Sequence, residues 1–214
     1  MSDRPSVARS ALTLAVIAAI CATLVAATYL LTAERIAANE KARLEQSLKP
    51  ALAGVFYDSD VTASRRVLQP PHGLPGRQPA VIYRVYSGDE PVAALFVVSA
   101  PDGYSGPIRL LVGINLDGTV TGVRILEHDE TPGLGDKIEQ DRSDWVYQFD
   151  GRSLGDPPRA AWAIKTDGGV FDQLTGASIT PRAAIKAIRA TLVYFDAHRD
   201  EIFSAPEPAE PAAE

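Results

Sequence analysis

Ile108–Leu126 reads IRLLVGINLDGTVTGVRIL, two apolar runs rich in Ile, Val and Leu that meet at Asp117-Gly118. Asp-Gly between two such runs is a hairpin signal, because glycine takes the positive φ that a tight turn needs. Working outward, Val92–Ser99 is β-branched and aromatic, and Val81–Tyr86 alternates in part, with Gly88–Pro91 between them as a turn. Strands follow one another here without the alternating helices of a βαβ chain. The expected class is therefore α+β with antiparallel strands. Asp136–Gln140 reads as a short helix, and the alternation of Trp145, Tyr147 and Phe149 reads as a half-buried strand.

Composition narrows the function classes. The chain has 214 residues, is 46% hydrophobic and carries a formal net charge of −6. Scattered charge with an acidic balance gives no basic stripe, so nucleic acid is not an expected partner. Cys21 is the single cysteine, which rules out an intrachain disulfide and a thiolate metal cluster. His72, His128 and His198 show no HExxH-type spacing, so no metal site is expected. No GxSxG motif accompanies His128, Asp129 and Glu130, which argues against hydrolysis.

From Ser10 to Ala33 no residue is charged. A helix over that run spans roughly 36 Å, enough to cross a hydrocarbon core of about 30 Å. The competing reading is a cleaved signal peptide, whose apolar region runs only about 7–15 residues before a small-residue site. The best such site here, Val25-Ala26-Ala27, lies inside the apolar run, so a retained anchor is expected. Arg4 and Arg9 precede the span while Arg35, Lys41, Arg43 and Lys49 follow it, so charge does not orient it. Residues 1–33 are thus read as the anchor segment and 34–68 as a stalk and linker, helical until Pro50. Residues 69–203 are read as the folded domain, and the tail, 204–214, which after Ser204 is only Pro, Ala and Glu, as disordered.

Near the other end, Ala184, Ile188, Leu192 and Phe195 form an apolar stripe that predicts a helix over Arg182–Phe203, with Thr180 as its cap and Pro181 in its first position. Just before it lies Asp167–Pro181, DGGVFDQLTGASITP. Two hydroxyls flank the small pair Gly176-Ala177, and the N-terminus of a helix offers unpaired N–H groups to an anion. A plain helix cap explains the same residues without any ligand.

The pattern Asp172-x-x-Thr175-Gly176-Ala177-Ser178-x-Thr180 resembles the flavinylation motif of FMN-binding domains, in which one hydroxyl is esterified to the phosphate of FMN. The segment His128–Ile138, HDETPGLGDKI, resembles a second element of the same families, and it stands in the same order along the chain. With the anchor and the strand block ahead of both, the chain resembles the G subunits of the Rnf-type (Rsx-type) ion-translocating electron-transport complexes. The C subunit of sodium-translocating NADH:quinone reductase is the related alternative.

The resemblance implies one covalent FMN on Ser178, where the family more often has threonine, with Thr175 and Thr180 as other acceptors. It places Gly176, Ala177 and Asp172 in the cofactor site and Glu130 and Thr131 beside the flavin, with Lys165 near the phosphate. It implies membrane subunits of the complex and a flavin transferase as partners, a bacterial inner-membrane location with a periplasmic domain, and no catalytic side chain or independent turnover. Trp145, Tyr147, Phe149 and Trp162 are candidate platforms for the ring, although Trp162 also reads as core. Two rivals stand beside this reading: an anchored, non-redox binding or scaffold domain, and a soluble flavin reductase released by signal cleavage. The first predicts a colourless protein.

Overall fold

The computed structural model describes residues 4–204. The acidic tail expected to be disordered lies, beyond Ser204, outside the described residues. The chain divides between Leu44 and Glu45 into two units.

In the first unit, helix α1 (Arg4–Ala51) begins. Its segment Val7–Ile36, 30 residues with a mean hydropathy of 2.4, is long and apolar enough to cross a membrane, and none of its most apolar stretch is buried. The hydroxyls of Thr13, Thr23, Thr28 and Thr32 donate to the carbonyls of Arg9, Ala19, Leu24 and Thr28 at 2.8–2.9 Å. Each hydroxyl is therefore satisfied by its own helix, as a lipid environment without water requires. The helix runs one residue past Pro50, which lies in its last turn. Proline ends the helix because it supplies no N–H and crowds the preceding turn.

The second unit is a five-stranded antiparallel meander in the order β1 (Arg65–Leu68), β2 (Ala80–Ser87), β3 (Glu90–Ala100), β4 (Ile108–Asn115) and β5 (Val120–Glu127). The expected α+β class and the β4–β5 hairpin are both present. The hairpin closes through Leu116–Gly118: Gly118 N–H donates to Asn115 O at 2.9 Å, and Gly118 has φ +89°. β1 lies within the residues read as linker. Its sequence, RRVL, has no apolar alternation, and it lies on the sheet edge.

One face of the sheet carries Ile82, Phe96, Leu110, Val112 and Ile125, which form one buried cluster with Ile185, Ile188, Leu192 and Phe195 of α2 (Ile179–Ser204). The opposite face meets the end of α1, where Leu48, Ala51 and Leu52 are buried. Gly113 and Gly122 are direct cross-strand partners on that face. A Cβ on Gly122 would lie 3.0 Å from Ala51 Cα, so only glycine admits the helix end so closely. Thr121 Oγ1 donates to Ala51 O at 2.5 Å, and Arg124 Nη2 donates to Pro50 O at 2.9 Å.

Two expectations are corrected. Asp144–Phe149 is a 3₁₀ helix and not a strand. Ser143 caps it by accepting the Trp145 N–H at 3.1 Å, and the buried residues are Trp145, Val146 and Phe149. A strand would have turned Val146 away from Trp145. Helix α2 starts at Ile179, three residues earlier than expected, so Thr180 and Pro181 lie within its first turn and Thr180 is not the cap. Pro181 still costs no hydrogen bond there, because first-turn N–H groups have no intrahelical acceptor.

Between β5 and α2 the chain is irregular, held by short 3₁₀ turns such as Gly135–Ile138 and Lys165–Asp167. An aromatic nucleus organises it: Phe171 lies 4.8 Å from both Phe149 and Trp162, centroid to centroid.

Candidate functional site

Two glycine turns build the site. In Thr131–Leu134, Pro132 presets φ, Gly133 takes φ +79°, and the Leu134 N–H donates to Thr131 O at 3.2 Å. That is the arrangement of a type II turn. Leu174–Ala177 repeats it: the Ala177 N–H donates to Leu174 O at 3.1 Å, and Gly176 has φ +82°. The turns face each other, since a Cβ on Gly176 would lie 3.1 Å from Leu134 Cδ2. The two motifs, far apart in sequence, are thus neighbours in space.

Beneath them sits a buried polar hub. The Thr180 hydroxyl, fully buried, donates to Glu130 Oε2 at 2.5 Å. The Ser105 N–H donates to Glu130 Oε1 at 3.2 Å, so both oxygens of this buried carboxylate are engaged inside the protein. The Glu130 N–H donates to His128 Nδ1 at 3.0 Å, and His128 Nε2 faces Glu139 Oε1 at 2.7 Å. Gly135 closes the hub from the side: a Cβ there would come within 2.9 Å of Glu130 and 3.1 Å of Thr180 Oγ1.

Above the hub, the hydroxyl-bearing loop is open. Ser178, Thr175 and Gly176 are exposed, and Ala177 is half-buried. Ser178 stands immediately before α2, and its carbonyl accepts the Arg182 N–H at 3.4 Å. Asp172 is exposed and ion-paired with Lys165 at 2.5 Å. Its backbone is fixed at both ends: its N–H donates to Gln148 Oε1 at 2.7 Å, and its carbonyl accepts from Trp145 Nε1 at 2.6 Å. Arg182 forks onto Asp167 through Nε at 2.6 Å and Nη2 at 2.8 Å. Those hydrogen bonds hold the Asp167 carboxyl below its ordinary value and push the Arg182 guanidinium above its own. Thr131 is exposed, and its carbonyl also accepts the Gly135 N–H at 3.0 Å.

The expected site residues therefore separate into two layers. Ser178, Thr175, Gly176, Asp172, Lys165 and Thr131 lie at the surface, whereas Thr180 and Glu130 are internal and bond to each other. Of the candidate ring platforms, Phe149 and Trp162 are core, and Trp145 is buried with its N–H committed to Asp172. Tyr147 is exposed and packs under the Arg124 guanidinium, 5.0 Å from its ring centre. Sequence reasoning missed Gln148, Glu139, Ser105 and the Arg182–Asp167 fork. The only signal for the fork was the position of its two charges at either end of the motif segment.

Residues 103–193 match the FMN-binding domain family, and residues 1–50 match the RnfG N-terminal region. The chain is 44% identical over 210 residues to the G subunit of an ion-translocating oxidoreductase complex from Pseudomonas aeruginosa, covering 97% of each chain. It is 44% identical over 193 residues to the corresponding G subunit from Shewanella baltica, covering 90% of this chain and 91% of the relative. With the G subunit from Vibrio cholerae it shares 40% identity over 205 residues, covering 96% and 98%. With two family matches and relatives this similar over nearly its whole length, the chain belongs to the family of G subunits of ion-translocating oxidoreductase complexes.

Proposed function

We propose that this chain is the membrane-anchored, FMN-carrying electron-transfer subunit of an ion-translocating oxidoreductase complex, with the FMN phosphate esterified to Ser178. Exposure favours Ser178 over Thr180, and position in the motif favours it over Thr175, which is exposed as well. Ser178 is open to solvent where α2 begins, whereas the Thr180 hydroxyl is fully buried and bonded to Glu130. The residues present fit the group. First-turn N–H groups of α2 favour a phosphate diester at Ser178, and Arg182 and Lys165, paired with Asp167 and Asp172, are the cations of the loop. Exposed Leu134 and Ile179, 41% and 46% accessible, offer apolar surface to a flat ring.

Attachment needs a flavin transferase and an activated flavin dinucleotide. The Ser178 oxygen bonds to phosphorus and gives up its proton, and the phosphorus–oxygen bond to the rest of the dinucleotide breaks. No electrons move in that step. Once bound, the flavin supplies the redox chemistry, and the protein contributes position, hydrogen bonds and partial burial. A tether suits a domain on the periplasmic side of the bacterial inner membrane, where released FMN would be lost. It makes rebinding intramolecular, at an effective concentration on the order of mM. The anchor keeps the domain among the other membrane subunits of the complex.

The test is expression with the transferase, followed by denaturation and intact-mass measurement. Flavin should stay with the denatured chain and disappear in Ser178→Ala. A colourless native protein with an unmodified Ser178 peptide would leave the non-redox scaffold reading standing.

A further inference from the structure

Ser178 and Thr180 sit two residues apart at the start of one helix, yet one hydroxyl is open and the other is fully buried. Ser178 is the last residue before α2 and Thr180 lies in its first turn, so the contact that seats Thr180 also sets where the chain enters the helix at Ser178. The Thr180 hydroxyl meets Glu130 Oε2 at 2.5 Å, and the Glu130 carboxylate is held from its other oxygen by the Ser105 N–H at 3.2 Å. Glu130 is in turn fixed through its backbone. Its N–H points at His128 Nδ1, which places the ring proton on Nε2, facing Glu139 Oε1 at 2.7 Å. Gly135 brings backbone close to both Glu130 and Thr180, where a side chain at that position would not fit.

We propose that the chain Glu139–His128–Glu130–Thr180 is a positioning device for the modification step, locking the first turn of α2 so that Ser178, and not Thr180, is presented for attachment. The proposal rests on the reading of Ser178 as the flavin acceptor. Glu130 and His128 act through Thr180, without touching the cofactor. A buried carboxylate bonded to a hydroxyl is a costly way to hold two elements together, since an apolar pair of similar volume stabilises a core about as well. What the polar pair adds is direction: one donor, one acceptor and one orientation for the helix start.

The experiment uses the full-length protein in detergent with purified transferase and flavin dinucleotide. It follows the rate of covalent incorporation, the modified residue by peptide mass spectrometry, and the thermal midpoint. Thr180→Ser keeps the hydroxyl and should load within about twofold of the parent, whereas Thr180→Val and Glu130→Gln, measured where they are folded, should load roughly tenfold more slowly or worse. The double variant should load no more slowly than Thr180→Val alone, because both changes break the same link. Should Thr180→Val fail to fold, Glu130→Gln, which keeps the side-chain volume, carries the comparison. Folded variants that load like the parent would overturn the positioning role even if their midpoints fall. A parent that takes no flavin at all would instead overturn the assignment of Ser178.

Discussion

Arg182 and Asp167 close the hydroxyl loop onto α2 with a forked pair of hydrogen bonds at 2.6 and 2.8 Å. Because Arg182 lowers the Asp167 value in the folded chain below 3.8, the unfolded chain binds the proton more readily. The pair's stabilisation is then fully present above pH 3.8 and is lost as pH falls through the depressed folded value. Asp167→Asn should lower the thermal midpoint at neutral pH, with the difference from the parent shrinking below pH 3.8 and then vanishing. The effect should be small and weaken with salt, as an exposed pair requires. Gly176 supplies a second residue-scale prediction. It has φ +82°, and an added methyl would stand 3.1 Å from Leu134 Cδ2, so Gly176→Ala should cost about 1–2 kcal/mol in a denaturant melt. Trp145 and Trp162, the only two tryptophans, both report on this unit. Gly133 could be read as a turn residue from sequence because Pro-Gly carries its own geometry, whereas the turn at Gly176 had no such signal in Thr175-Gly176. The hub could not be read, because Glu130 and Thr180 meet only after 50 residues of irregular chain have folded back.

At the scale of elements, the hairpin and the last helix were legible because each repeats a local period that burial then enforces. Trp145-Val146-Tyr147 misled for the same reason: alternation of aromatics suggests a strand, but the Ser143 cap and the aromatic nucleus draw Val146 inward beside Trp145. β1 left no trace in its sequence, since an edge strand with burial on one side only needs little apolar character. The seat for the end of α1 was likewise hidden. Nothing in Gly113 or Gly122 announces that they are cross-strand partners under a helix end. Their pairing predicts that Gly122→Val, which would drive side-chain atoms into Ala51 Cα and Pro50 O at 3.0–3.1 Å, costs about 1–3 kcal/mol by tryptophan-monitored denaturation. Thr121→Val should cost about 0.5–1.5 kcal/mol, the loss of one hydrogen bond to Ala51 O.

For the whole molecule, the side of the membrane that the domain occupies becomes a labelling experiment, because the flanking charges on α1 do not decide it. Cys21 is the chain's one cysteine, and it lies within Val7–Ile36 with its side chain facing outward from the helix. If that segment crosses the bilayer, lipid surrounds the thiol, and a charged maleimide should fail to label it in sealed membranes from either side. Denaturing detergent should then make it fully reactive. A Cys21→Ser background frees the reagent to report on the domain. Asp89 sits in the exposed β2–β3 turn, so Asp89→Cys places a thiol there without touching core or site. A periplasmic domain predicts labelling of Asp89→Cys in intact spheroplasts by the impermeant reagent. Labelling that appears only after the membrane is opened would put the domain in the cytoplasm and remove the case for a tether that guards against loss of FMN. Labelling of Cys21 in sealed membranes would mean that the segment lies in water and that the apolar helix is not an anchor.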